Sequence, residues 1–252
     1  MQLSNDLPEG WRHIHLAETD SLMLALKREE TAAEGVDFVL ATTDFQTAGR
    51  GQRGTSWEAE RGANLLFGLR CHPRFLTADR QFLLSEIQAL AVALALDAHG
   101  EGFSVKWPND LYWHDRKIGG MLLEHDLCGT VIDQTISGVG LNVNQTVFKG
   151  NAPNPVSLGQ ITGRHHDLAG LLTAICRHFD HLYRRLQHHD EAAIHSLYLS
   201  RLYHRQGFHP YADAQGRFEA EIIGVAPIGT LILRDRQGAL RHYAFKEVRQ
   251  LL

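Results

Sequence analysis

Three short segments combine glycines, amides and cations in a pattern that suits an anionic ligand. The first is Gly49-Arg50-Gly51-Gln52-Arg53-Gly54, whose glycines let backbone N–H groups approach a ligand closely. Its two arginines supply fork-shaped donors for phosphate or carboxylate. Nearby Gln46 and Trp57 add an amide and an aromatic plane that a purine could use. By itself this loop equally fits a flexible solvated segment or an arginine-glycine stretch that binds RNA.

The second segment is Lys106-Trp107-Pro108-Asn109-Asp110, followed by Lys117-Ile118-Gly119-Gly120. A hairpin turn near His114-Asp115 would bring Asp110 and Lys117 face to face. Two adjacent glycines inside a strand cost stability, which suggests that another group packs against the backbone there. The alternative is a surface hairpin that carries an ordinary ion pair.

The third segment, Ser137 to Val143, alternates glycine with apolar residues and then places Asn142 in a β-like run. One interpretation is a ligand that lies against the strand and contacts Asn142. The other is a bend of the kind found in small barrels.

Strands and helices must position these segments. Apolar and β-branched runs predict strands at 37–43, 63–69, 103–107, 118–125 and 130–144, with a turn at Cys128-Gly129. Three helices are predicted. The first is capped by Thr77 or Asp79 and ends at 98, the second runs from Asp167 to 186, and the third lies at 190–203. After Gly207, short alternating strands with turns at Gly216, Gly229 and Gly238 follow. We therefore expect an α+β fold, with a mixed-sheet domain at 1–204 and an SH3-like β-barrel at 205–252.

Composition narrows the function further. The 252 residues carry a formal net charge of -4, which argues against nucleic acid as the main partner but leaves room for a basic pocket. There is no GxGxxG motif at a strand-helix junction and no P-loop, so neither a dinucleotide fold nor a P-loop explains nucleotide binding here.

The cysteines and histidines do not predict a disulfide framework or a metal centre. The three cysteines are odd in number and widely separated, and the sixteen histidines fit a solvated surface better than a ligand set. Without an apolar leader or a long apolar run, a cytoplasmic protein that does not enter a membrane is expected.

Taken together, the segments resemble the biotin protein ligases, whose motifs are a GRGRRG-type loop, KWPND, K-x-x-G-[IM]-L and G-x-G-x-N, in this order. The matching stretches are GRGQRG (49–54), KWPND (106–110), KIGGML (117–122) and GVGLN (138–142). The resemblance runs from about residue 13 to the end. It implies a catalytic domain like that of class II aminoacyl-tRNA synthetases, followed by the SH3-like domain.

The resemblance also implies a reaction. Such an enzyme uses ATP and Mg²⁺ to convert biotin to biotinyl-5'-AMP, then transfers biotin to a lysine of a biotin carboxyl carrier domain. The catalytic motifs come early in the chain, so the monofunctional type that binds no DNA is expected, as a monomer or a homodimer. Magnesium would arrive with ATP, without a dedicated protein site.

Residue roles follow from the matching motifs. Lys117 resembles the lysine between the biotin carboxylate and the α-phosphate, Arg50 a second catalytic cation, and Asp110 the group that orients or deprotonates the acceptor lysine. The biotin contacts implied are Ser21, Gln46, Gly49, Arg50, Gly51, Gln52, Lys117, Gly119 and Gly120. The ATP and adenylate contacts implied are Arg53, Trp57 as the adenine platform, Lys106, Asn109 and Asn142.

The chain departs from the family pattern at four positions. Leu22 and Met23 follow Ser21 where Thr and Asn are usual, while Gln52 and Thr55 replace arginines. Two alternatives therefore stay open, namely a lipoate or octanoate protein ligase and a non-catalytic biotin sensor.

Overall fold

The computed structural model of the chain describes residues 3, 7–29, 35–51, 56–150 and 154–251. A seven-stranded sheet forms the larger part of the described structure. The sheet is mixed, because its first two strands pair in parallel and all its other neighbouring strands are antiparallel. Its strands are β1 (Trp11–Leu16), β2 (Phe38–Thr43), β3 (Leu65–Cys71), β4 (Phe103–Lys106), β5 (Asp110–Trp113), β6 (Arg116–Cys128) and β7 (Val131–Leu141). They lie in the order β1-β2-β3-β7-β6-β5-β4, which confirms the mixed α+β architecture.

Three long helices cover one face of this sheet. The helices of the described residues are α1 (Leu22–Arg28), α2 (Phe82–Asp97), α3 (Leu158–Thr162), α4 (Leu168–Gln187) and α5 (Glu191–Ser200). Helix α2 is apolar on nearly every face and is buried beneath α4 and α5, as its sequence predicts. The Asp167 carboxylate caps α4 by accepting hydrogen bonds from the Ala169 and Gly170 amides.

The opposite face of the sheet carries a smaller apolar cluster built around α1. This helix packs on β2, β3 and β7 through Leu22, Met23 and Leu26, which are buried. With only seven residues, α1 covers a short stretch of the sheet. The neighbouring stretch of β6 and β7 therefore stays available to line a cavity.

A second, five-stranded sheet follows the helices. It contains β8 (His209–Asp213), β9 (Gly216–Val225), β10 (Leu231–Asp235), β11 (Leu240–Tyr243) and β12 (Arg249–Gln250). All of its pairs are antiparallel, in the order β11-β10-β9-β8-β12. The expected small β unit is confirmed, while the division of the chain at 204/205 stays a prediction.

Several expectations about the elements were wrong. Thr77 and Asp79 do not cap α2, because a separate 3₁₀ turn at Ala78–Arg80 precedes it and no side chain caps either helix. Strand β6 continues through Cys128, which moves the turn to 129–130. The last helix ends at Ser200 rather than Tyr203, because the residues beyond it pair with Val105 of β4.

Trp107 joins the two sheets. Its indole Nε1 donates a hydrogen bond of 2.9 Å to the Gly229 carbonyl, and its ring packs edge-on against Phe245. Gly229 has a φ of 96°, and a Cβ at this position would lie 2.6 Å from the Phe82 ring. The turn before β10 therefore fits the first sheet and α2 only when residue 229 is glycine.

We expect Gly229→Ala to lower the free energy of unfolding by about 2–4 kcal/mol, since left-handed strain and overpacking on Phe82 add together. Gly238→Ala is the matched control, because Gly238 has a φ of 86° but no atom near its Cβ position. It should cost about 1–2 kcal/mol. Urea unfolding of both variants measures the difference, and equal losses would contradict the contact with Phe82.

Candidate functional site

A cavity of about 980 Å³ lies between the α1 face of the first sheet and the second sheet. Its volume is in the range of small-molecule sites. The predicted site residues that line it are Ser21, Gln46, Arg50, Gly51, Trp57, Lys106, Asn109, Asp110, Lys117, Gly120 and Asn142. Gly49 and Gly119 do not line it, and Gln52 and Arg53 lie outside the described residues.

Three neighbouring strands form the floor of the cavity. In the first row across these strands, Gly138 of β7 lies between Gly68 of β3 and Leu122 of β6. In the second row, two residues further along β7, Gly140 lies between Leu66 and Gly120. These two rows are about 7 Å apart, since a strand rises about 3.4 Å per residue. Glycine is needed here because side chains of other elements rest directly on the backbone.

Trp57 covers the second row. A Cβ on Gly140 would collide with its indole ring, and a Cβ on Gly120 would lie 3.4 Å from Cζ3 of the same ring. Its Nε1 is buried without a hydrogen-bond partner. The two described ends of the glycine-arginine loop hold Trp57 in place, because Arg50 bridges Ser56 and the Trp57 amide donates to the Gly49 carbonyl at 3.0 Å.

Lys117 and Asp110 form an ion pair beside Trp57. Lys117 Nζ lies 2.6 Å from Asp110 Oδ1, with the two side chains 22% and 28% exposed, so the expected face-to-face arrangement is confirmed. The ammonium is 5.9 Å from the centre of the Trp57 ring. Backbone hydrogen bonds to Asn154 and Val156 fix the main chain of Lys117. A positive charge is thereby held at a fixed point on the cavity floor.

Lys106 supplies a second ammonium group. Its Nζ is 3.3 Å from the Tyr112 hydroxyl and lies over the rings of Tyr112 and Tyr203, at 4.8 and 5.7 Å from their centres. Burial lowers the pKa of Lys106, Asp110 opposes that shift, and the like charge of Lys117 adds to it. An anionic ligand would favour the charged form of this lysine and gain from its low-dielectric surroundings.

Ser21 and Gln46 lie together at the N-terminus of α1. The Gln46 Oε1 accepts a hydrogen bond of 2.8 Å from the Leu22 amide, which caps this helix. The amide nitrogen is then the part of Gln46 that can donate to a ligand. Ser21 is 1% exposed and its Oγ has no hydrogen-bond partner. Buried hydroxyls normally have partners, so an unpaired one that lines a cavity suggests a polar ligand atom.

Both asparagines of the predicted site also hold the backbone. Asn109 Nδ2 donates to the Met121 carbonyl, and Asn142 Nδ2 donates to the Val156 carbonyl at 3.2 Å. Each amide group thereby fixes the segment around it, and its carbonyl oxygen is the atom left to face a ligand or a cation. Their assignment as adenylate contacts stays a prediction.

The charge of the lining is opposite to that of the chain. Among the described lining residues, five are cationic (Arg50, Lys106, Lys117, Lys246 and Arg249) and two are anionic (Glu58 and Asp110). A surplus of three positive charges in a chain of net charge -4 indicates an anionic ligand. Lys246 and Arg249 were not predicted from the sequence, because only the docking of the second sheet brings them to the cavity.

The described residues contain neither a metal-binding cluster nor a membrane-spanning helix. No three His, Cys, Asp or Glu side chains there are grouped so that they could hold a metal ion. No helix there is long and apolar enough to cross a membrane.

Comparisons with known proteins agree on one family. The model of the biotin/lipoate A/B protein ligase family matches residues 18–142. The bifunctional ligase/repressor BirA of Bacillus spizizenii is 28% identical over 214 residues, which are 81% of this chain but 64% of that protein. The chain thus spans less than two thirds of that relative.

The fold comparison agrees with this. The structure of biotin protein ligase from Aquifex aeolicus in complex with biotin and ATP superposes with a TM-score of 0.79 at 23% identity, over 95% of this chain and 99% of that one. It therefore shares the fold expected from the sequence, the mixed-sheet domain followed by the small β unit.

One relative matches along almost its whole length. The biotin--[acetyl-CoA-carboxylase] ligase of Paracoccus denitrificans is 31% identical over 239 residues, which are 88% of this chain and 94% of that protein. With this match and the family model, the chain belongs to the biotin/lipoate A/B protein ligase family.

Proposed function

We propose that this chain is an ATP-dependent biotin protein ligase, which makes biotinyl-5'-AMP and transfers biotin to a lysine of a biotin carboxyl carrier domain. One observation carries the proposal: a single cavity contains the unpaired Ser21 hydroxyl, the Trp57 indole and an excess of cationic side chains. These groups suit the polar head of biotin, a purine and the reacting anions respectively.

The first step joins two anions, the biotin carboxylate and the α-phosphate of ATP. A carboxylate oxygen attacks the α-phosphorus, and pyrophosphate leaves with the electron pair of the broken P–O bond. Lys117 would lie between the two reactants, with Arg50 and Lys106 nearby, so that the cations reduce the repulsion and stabilise the developing charge. Mg²⁺ would bind the phosphates of ATP and need no protein cage. The oxygens of Asn109 and Asn142 are candidate contacts to this substrate.

The second step transfers the acyl group. The carrier lysine amine attacks the acyl carbon, the bond to the phosphate breaks, and AMP leaves. A free lysine is mostly protonated at neutral pH, since its pKa is about 10.4. Asp110 would orient the amine or take its proton, while Lys117, paired with it at 2.6 Å, stabilises the leaving phosphate.

The partner and place of the reaction follow from the same proposal. The Paracoccus denitrificans relative is named for acetyl-CoA carboxylase, so the carrier domain of such a carboxylase is the proposed acceptor. We place the reaction in the cytoplasm, where ATP is available. The walls of the cavity would keep water from hydrolysing the bound adenylate.

Biotin-dependent release of pyrophosphate from ATP tests the proposal, with lipoate and octanoate as control acids. Release with biotin alone supports it. Release with lipoate or octanoate instead would make the chain a ligase for those acids. This outcome is worth testing because the apolar Leu22 and Met23 line the cavity. Biotin binding without any release would indicate a sensor.

We expect Lys117→Ala to lower biotin-dependent pyrophosphate release by about 10²–10³-fold, because it removes a fixed charge from the reacting anions. Lys27→Ala is the matched control, since Lys27 also forms an ion pair of 2.6 Å, with Glu124, but on the surface. It should leave the rate unchanged. Near-normal release by the Lys117 variant would rule out the assigned role.

A second expected outcome concerns the Trp57 platform. Gly140→Ala places a methyl group where the indole rests, so we expect a KM for ATP raised about 10-fold or more and a free energy of unfolding lowered by about 1–3 kcal/mol. Gly224→Ala is the control, because this strand glycine has no atom near its Cβ position. Steady-state kinetics measures the KM for ATP, and urea unfolding measures the stability. An unchanged KM for ATP would show that Trp57 does not contribute to nucleotide binding.

A further inference from the structure

Met23 lies on the first row of the cavity floor, on top of Gly138. A Cβ on Gly138 would be 3.0 Å from Met23 Sδ and 3.3 Å from its Cγ. Met23 is 4% exposed, and both residues line the cavity. The thioether therefore fills the space that the absent side chain of residue 138 leaves open.

This end of the cavity is apolar. Met23, Leu22 and Leu122 line it, and the first two belong to the apolar cluster beneath α1. Its polar side-chain groups among the described residues are the unpaired Ser21 hydroxyl and the Gln46 amide. Lys117 lies beside the second row, with its Cε 3.5 Å from the Cβ position of Gly120. That row is about 7 Å from the first, at two residues along a strand.

The separation of charge and apolar surface orients an acid in the site. Its carboxylate belongs beside Lys117, so its apolar body extends away from that ammonium group, over Leu122 and Gly138. The body then ends against Met23, with its outermost polar atom within reach of Ser21. The position of the thioether fixes how far the body can extend.

We propose that the Met23–Gly138 contact sets the depth of the acid-binding end, and with it the selection of a compact ring-bearing acid over extended acyl chains. This inference rests on the proposed function, because it concerns which acid that site accepts. Methionine suits the role, since its unbranched thioether adapts to irregular gaps. Each methylene that a pocket admits or rejects changes selectivity by roughly 10–200-fold.

Three variants test the contact. Met23→Ala should open the gap above Gly138 and favour the acyl chains. The dissociation constant for octanoate or decanoate, divided by that for biotin, should therefore fall about 10-fold or more. Gly138→Ala should push the thioether into the cavity and weaken biotin about 10-fold, with the KM for ATP unchanged. In the double variant the new methyl group partly refills the gap, so the ratio should return toward that of the wild type.

Leu26→Ala is the matched control for lost packing. Leu26 lies on the same helix, is fully buried and rests on Gly68 with its Cδ1 2.8 Å from the Cβ position there, but it does not line the cavity. It should lower stability without changing the ratio. Met23→Leu, which conserves volume, should keep both the fold and the ratio.

Calorimetric titration of biotin, octanoate and decanoate gives the ratios without any need for turnover. An unchanged ratio in Met23→Ala, or an equal change in Leu26→Ala, would overturn the assignment. Pyrophosphate release by the wild type is measured in parallel: a chain that binds biotin selectively but releases none refutes the proposed ligase and leaves the Met23 result valid. A wild type that binds none of the acids overturns both.

Discussion

Side chains rest directly on the main chain of β7, because residues 138 and 140 are glycines. Met23 occupies the space above the first and Trp57 the space above the second. A helix at one end of the cavity and a loop on its other side are thereby fixed at neighbouring points of one strand. The proposed positions of the acid, the purine and the reacting charges relative to one another all depend on this close approach.

The second constraint is electrostatic. A chain with a net charge of -4 gathers five cationic side chains around one cavity, two of them from the second sheet. Keeping so many like charges close together, partly away from water, is unfavourable in the absence of a ligand. Asp110 offsets part of this by pairing with Lys117, and the phosphates of a nucleotide would offset the rest. The arrangement is therefore suited to joining two anions.

Short-range features of the fold and the site were predictable from the sequence. Asp110 and Lys117 are joined by a tight hairpin, so their pairing followed from strand periodicity, and the apolar α2 indicated a buried helix. Strand β1 was missed because WRHIHL mixes one arginine and two histidines with apolar residues. Helix α1 was missed because it is short and its cap comes from Gln46, 24 residues away.

Long-range features could not be predicted in the same way. Nothing local marks Lys246 or Arg249 as cavity residues, because the docking of Trp107 on Gly229 decides where the second sheet lies. The glycines of β7 predicted either a ligand against the strand or a bend, and only the fold identifies Met23 and Trp57 as the groups that approach them. The resemblance supplied the roles of Ser21 and Lys117, and the structure adds that the Ser21 hydroxyl is buried and unpaired.

The most direct measurement asks whether the cavity retains the mixed anhydride. The chain is incubated with biotin, ATP and Mg²⁺ in the absence of any carrier, separated from free ligands by gel filtration, and its bound ligand is identified by mass spectrometry. The proposed reaction predicts stoichiometric biotinyl-5'-AMP, which disappears when a carrier domain is added. Recovery of biotin and intact ATP alone would contradict it.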